Sequence, residues 1–209
     1  SFYLVFLPFI CLAIAAFFAH VIQVSKSDYA RFIGWGAILI LSILFVVNGV
    51  CFLKIFTHPD SRIEASDWIY RTITLNKTIA SEFGNVELPL NRHLGSPDRY
   101  QRVKLFPLEK PGTEKIKRMA ETLNQTDWIV LSGNSGLRTT FANRDWFPSN
   151  TVFYRLLFKG SLGFQLEKSF SNSPSPWDGF PEDGLAHPTW TDFDHPKILI
   201  FKKVKPFSK

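Results

Sequence analysis

Two long apolar runs open the chain, and short strand-like and helix-like segments alternate after them. From Phe2 to Val24 the strongly polar side chains are His20 and Gln23, which fits the roughly 20 apolar residues a helix needs to cross a bilayer core. Phe32 to Leu53 repeats the pattern with Asn48 as its main polar interruption, and a helix apolar on every face for that length rarely belongs to a globular core. The brief connection from Ser25 to Arg31 predicts an antiparallel hairpin with both outer ends on one side of a membrane. Pro8 would kink the first run, and Asn48 would either turn toward another helix or be wetted by head groups. A cleaved signal peptide needs a basic start, a shorter apolar stretch and a small-residue exit, none of which the first run has.

After Thr57 the pattern predicts one α/β domain of ordinary size. Asp60 or Ser61 is placed to cap a helix over Arg62 to Ile73. Thr78 to Ser81 and Val103 to Phe106 read as short strands, Pro111-Gly112 as a turn, and Thr113 to Leu123 as an amphipathic helix. Trp128 to Leu131 reads as a buried strand. Ser149 to Lys159 reads as a helix capped by Ser149 or Asn150 and closed by Gly160, and Phe164 to Phe170 alternates as a strand does. The end of the chain predicts a hairpin: Trp190 to Asp194, a turn at His195-Pro196, and Lys197 to Val204. Ser171 to His187, rich in Ser, Pro, Gly and acidic residues, reads as a long surface loop.

Charge sharpens the boundary between the two parts. Residues 1 to 57 carry Lys26, Asp28, Arg31 and Lys54, none inside an apolar run, so the formal charge of +6 divides into +2 there and +4 in the remainder. No long basic block appears, which argues against nucleic acid as a partner and for a mildly basic surface beside anionic head groups. Lys26 and Arg31 favour a cytoplasmic connection, but Lys54, Arg62 and Arg71 flank the opposite side, so charge alone leaves orientation open. Both cysteines, Cys11 and Cys51, lie in the apolar runs, leaving the rest of the chain without a disulfide or a cysteine metal site. The chain opens at Ser1, without methionine and at once hydrophobic, which favours the tail of a longer polypeptide over a processed mature protein.

Four stretches together resemble a known family: His58-Pro59-Asp60-Ser61-Arg62-Ile63-Glu64-Ala65-Ser66-Asp67-Trp68-Ile69-Tyr70, then Asp127-Trp128-Ile129-Val130-Leu131-Ser132, then Tyr154-Arg155-Leu156-Leu157-Phe158, and Asp194-His195-Pro196-Lys197-Ile198-Leu199-Ile200-Phe201. In order and spacing they are similar to the C-terminal region of large polytopic YYY-type membrane proteins, relatives of the protein O-mannosyltransferase and aminoarabinose transferase group of lipid-linked glycosyltransferases. The resemblance implies an extracytoplasmic position for residues 58 to 209. It also implies a parent that moves a sugar from a polyprenyl-phosphate donor, with this region as lid, scaffold or acceptor-recognition module. The family's catalytic acidic residues, metal contacts and lipid-phosphate contacts lie near the start of a much longer chain, and this sequence has no counterpart of that part and no Tyr-Tyr-Tyr run.

Candidate chemistry within the chain is sparse. His187 and His195 with Asp178, Glu182, Asp183, Asp192 and Asp194 form the densest set of possible ligands, but without EF-hand spacing, and a solvated acidic loop is the favoured reading. Ser132-Gly133-Asn134-Ser135-Gly136 follows a buried strand, where open α/β sheets place ligand loops, yet it matches neither dinucleotide nor Walker patterns and shows no helix directly after it. It reads as a plain turn. Ser132, His195 and Asp194 lack the nucleophile-elbow frame of a hydrolase. Trp68 and Trp128 read as core, whereas Trp146 and Trp177 fall in loops, where membrane interface or packing is favoured over contact with sugar rings. Asn76-Lys77-Thr78 and Asn124-Gln125-Thr126 fit the glycosylation pattern, with chance as the default.

The expected architecture is therefore α/β: a two-helix transmembrane hairpin over residues 1 to 57, followed by one layered extracytoplasmic domain over 58 to 209. The expected role is that of the anchored C-terminal domain of a glycosyltransferase-like membrane protein, without catalytic, cofactor or metal residues of its own. The alternative is a non-catalytic two-span subunit of a larger complex. Expected partners are the bilayer, other transmembrane helices and, through the parent, a polyprenyl-phosphate sugar, with Trp146, Trp177 and Asn48 as possible ligand or interface contacts.

Overall fold

The computed structural model describes residues 3–24, 27–82, 90–105, 112–133, 135–172, 192 and 196–206. The chain divides into two compact units, Ser1–Phe52 and Leu53–Lys209. Helix α1 spans Tyr3–Val24 and α2 spans Asp28–Thr57. Asp28 and Arg31 pair across the first turn of α2, where an acidic side chain also complements the helix dipole. Gly34 is buried, and a Cβ there would lie 2.9 Å from Ile22 Cγ1, so the missing side chain lets α1 and α2 approach. Away from that contact the apolar surface of α2 is open, with Leu39, Phe45 and Leu53 each more than half exposed. Among the described residues one helix is long and apolar enough to cross a membrane, in the stretch Arg31–Thr72, and Leu12–Val24 is a shorter apolar helix.

The second unit is a five-stranded mixed sheet with helices. Its strands are β1 (Thr78–Glu82), β2 (Gln101–Leu105), β3 (Trp128–Ser132), β4 (Phe164–Phe170) and β5 (Ile198–Lys203), in the order β2-β1-β3-β5-β4. β2, β1 and β3 run parallel, while β5 is antiparallel to both β3 and β4. The helices are α3 (Ser61–Thr72), α4 (Thr113–Gln125), α5 (Ser135–Ala142) and α6 (Pro148–Phe158).

Alternation along the central strands creates two cores. Ala80, Ile129, Leu131, Leu199 and Phe201 face one side and pack with Met119 and Leu123 of α4 and Phe153, Tyr154 and Leu157 of α6. Ile79, Trp128, Val130, Ile198 and Ile200 face the other and pack with Ala65 and Ile69 of α3 and with Tyr100. Trp68 meets Trp128 edge to face at 5.9 Å and Phe170 at 6.4 Å, so both tryptophans read as core lie in one aromatic cluster. The Asp60 carboxylate accepts the Arg62 amide at the start of α3, and Tyr100 donates from its hydroxyl to the Ile69 and Ile73 carbonyls at the end.

Several sequence expectations change. β5 is central, with β3 on one side and β4 on the other, so it has no open edge for a hairpin partner. Of the strand predicted over 190 to 194, Asp192 is described and helical, and the other residues lie outside the described residues. α6 begins at Pro148 with Phe147 at its cap and no capping side chain. Asn150, read as a cap, is fully buried and accepts a hydrogen bond from Lys115. Gly112, read as part of a turn, is the N-cap residue of α4. The turn expected after β3 opens directly into α5, a helix the pattern did not reveal.

Candidate functional site

In open α/β sheets the ligand crevice lies beyond the carboxyl ends of parallel strands, where successive connections leave in opposite directions. Here that place falls between β1 and β3. The chain leaves β1 toward β2 on one side, and leaves β3 through α5 and α6 toward β4 on the other.

Glu82, the last residue of β1, faces the same core as Ala80 and its register partner Leu105. The Tyr154 hydroxyl, reaching from α6, donates to Glu82 Oε1. Gly136, in the first turn of α5, closes the arrangement: a Cβ there would lie 2.9 Å from both Glu82 Oε2 and Tyr154 Oη. Gly133, at the end of β3, has φ of +96° and a Cβ position 2.9 Å from Asp192 Oδ1, a combination only glycine meets without strain. Two carboxyl groups from distant parts of the chain therefore press on the backbone of one loop from β3 to α5.

Burial pushes the Glu82 carboxyl up to about 7, and the nearby charge of Asp192 adds to this, while the hydrogen bond from Tyr154 opposes it. Burial likewise raises the Tyr154 phenol, reinforced by the charge of Glu82 and the hydrogen bond to it. Near neutral pH Tyr154 is thus a fixed donor and Glu82 changes charge.

One helical turn away the polar character continues. Thr140 follows Gly136 by four residues on α5, and Asn150 precedes Tyr154 by four on α6, so each pair shares a helix face. The buried ammonium of Lys115 on α4 donates to Asn150 Oδ1. Thr140 Oγ1, Asn150 Nδ2 and, on the α3 side of the sheet, Ser132 Oγ are buried with no hydrogen-bond partner among the described residues.

This geometry decides what the corner favours. A phosphate at a helix head needs free backbone N–H groups and local positive charge. Here the head of α5 is bounded by the chain's own carboxyl groups, which repel an anion once Glu82 is ionised. The Ser132–Gly136 stretch is thus placed as a ligand loop is placed but is electrostatically unsuited to a nucleotide phosphate.

The candidates named from sequence do not converge on this corner. Trp146 lies in the turn between α5 and α6 and is 76% exposed. Asn48 is carried by α2, and its side chain lies outside the described residues, as does Trp177. Of the acidic and histidine set, Asp192 is described and buried, whereas Asp178, Glu182, Asp183, His187, Asp194 and His195 lie outside the described residues. Among the described residues no group of three or more His, Cys, Asp or Glu side chains is arranged to hold a metal ion. Glu82 and Lys115 were missed, since one carboxylate ending a strand and one lysine in an amphipathic helix carry no local signal. No protein-family model, curated protein or solved structure matches this chain.

Proposed function

We propose that this chain is the membrane-anchored region of a glycosyltransferase-like integral membrane protein, with spans near residues 2 to 24 and 32 to 53. Residues 58 to 209 then form an extracytoplasmic α/β domain without a complete catalytic site. The observation that carries the anchor is the open apolar surface of the 30-residue α2. Burying one large apolar side chain is worth about 1.5 to 3 kcal/mol, so leaving even five in water would forfeit roughly the whole net stability of a domain. Lipid removes that cost. The close approach of Ile22 and Gly34 supports a hairpin between the helices.

The role of the α/β domain follows from its ligand-loop corner. Two carboxyl groups at the head of α5 oppose a polyprenyl-phosphate head group there, which favours a lid, scaffold or acceptor-facing role. The family part of the proposal rests on the four sequence stretches that resemble the lipid-linked transferases.

Membranes of the native source, washed in alkaline carbonate, are expected to retain the protein until detergent is added. Release by carbonate would overturn the anchor. Intact mass and N-terminal sequencing of the detergent-purified protein test the parent: a mass several-fold above the 24.0 kDa of this chain supports the transferase. A mass near 24.0 kDa replaces it with the two-span accessory subunit.

A further inference from the structure

We infer that a proton held on Glu82 fastens the head of α5 to the end of β1, and that losing it loosens this corner of the domain. The geometry is a closed set of contacts rather than an isolated acid. Glu82 accepts from Tyr154, abuts Gly136, and stands beside Asp192, which itself abuts Gly133. Among the described residues, Tyr154 is the titratable group that faces Glu82 from α6, the charge of Asp192 raises the Glu82 carboxyl, α5 presents Gly136 and β2 presents Leu105. The buried cation of α4, Lys115, is engaged with Asn150 one turn from Tyr154.

While Glu82 is neutral, it adds no charge beside Asp192. When Glu82 ionises, two carboxylates flank one short backbone stretch in a partly buried corner, where like charges repel more strongly than in open solvent. Opening the corner hydrates both. The lost proton goes to solvent, and no bond is made or broken. Since this is where an open α/β sheet meets its partners, the accessibility of that face becomes a function of pH.

The test is amide hydrogen exchange of the full chain in detergent micelles, followed at Ser132, Gly133 and Gly136 and corrected for the intrinsic pH dependence of exchange. Opening in the wild type is expected to grow by up to about tenfold per pH unit as pH rises toward neutrality, then to level off. Glu82→Gln, which still accepts from Tyr154 but cannot ionise, is expected to show no such slope. Asp192→Asn is expected to level off at lower pH, because the charge that favours the protonated form is gone. A flat wild-type profile, or an unchanged slope in Glu82→Gln, overturns the inference. If Glu82→Gln fails to fold, infrared spectroscopy of the wild type decides: a protonated buried carboxyl band just below neutral pH that vanishes above it supports the proton, and its absence refutes it.

Discussion

Replacing Phe201 with alanine is expected to cost about 3 to 5 kcal/mol of stability, a large share of the roughly 5 to 15 kcal/mol that holds an ordinary domain folded. Phe201 is 1% exposed in the central strand β5 and stands in register with Ile129 on one side and Leu166 on the other. Its ring meets Phe158 of α6 edge to face at 5.6 Å. Truncation leaves a cavity where sheet and helix meet, and two hydrogen-bonded neighbours keep the backbone of β5 from collapsing into it. Denaturant unfolding of the detergent-solubilised protein, followed by tryptophan fluorescence through Trp128, measures the loss. Phe201→Leu, which keeps most of the volume, is expected to lose markedly less.

Stability of the domain is expected to fall as pH rises from acid toward neutrality, the reverse of the usual behaviour of a paired carboxylate. The carboxyl of Glu82 moves from 4.5 to about 7 on folding, so the native state binds this proton more tightly than the unfolded chain. The contribution is fully present below pH 4.5, declines through the interval between the two values, and is spent above about pH 7. At 1.36 kcal/mol per unit, the interval corresponds to about 3 kcal/mol. Unfolding free energies across this range, wild type against Glu82→Gln, isolate the term because glutamine is neutral throughout. The difference between the two is expected to vary with pH by about that amount, and a constant difference would remove Glu82 from the account.

Much of the fold is legible in the chain, for identifiable reasons. Trp128 to Leu131 is a continuous apolar run because β3 is covered on both faces. Thr113 to Leu123 shows its amphipathic period because one face of α4 packs on the sheet and the other meets solvent. Asp60 announces α3 by its short acceptor side chain. Helix α5 hides because Ser135, Gly136, Thr139 and Thr140 are poor helix formers, and its position is fixed by packing of Leu137 and Phe141. Asn150 looked like a cap because the residue type caps helices, but here its amide points inward to a lysine. The end of the chain read as a hairpin because sequence neighbours usually pair, whereas β5 inserts between β3 and β4.

The candidate corner was half legible. Ser132-Gly133-Asn134-Ser135-Gly136 stands out as a ligand-loop position, and the glycines of its ends are required, yet by carboxyl groups rather than by phosphate. Glu82 comes to Gly136 and Asp192 to Gly133 only in the folded chain, a proximity that no local pattern encodes.

The extracytoplasmic position proposed for the α/β domain can be tested by labelling from outside the cell. Glu114 is exposed in the first turn of α4, so Glu114→Cys places a thiol on the surface of the domain. The native cysteines, Cys11 and Cys51, lie in the two proposed spans. Labelling of intact cells with a membrane-impermeant maleimide is expected to modify Glu114→Cys without detergent and to leave the parent protein unmodified. Modification of Glu114→Cys only after the membrane is opened would place the domain in the cytoplasm and contradict the account.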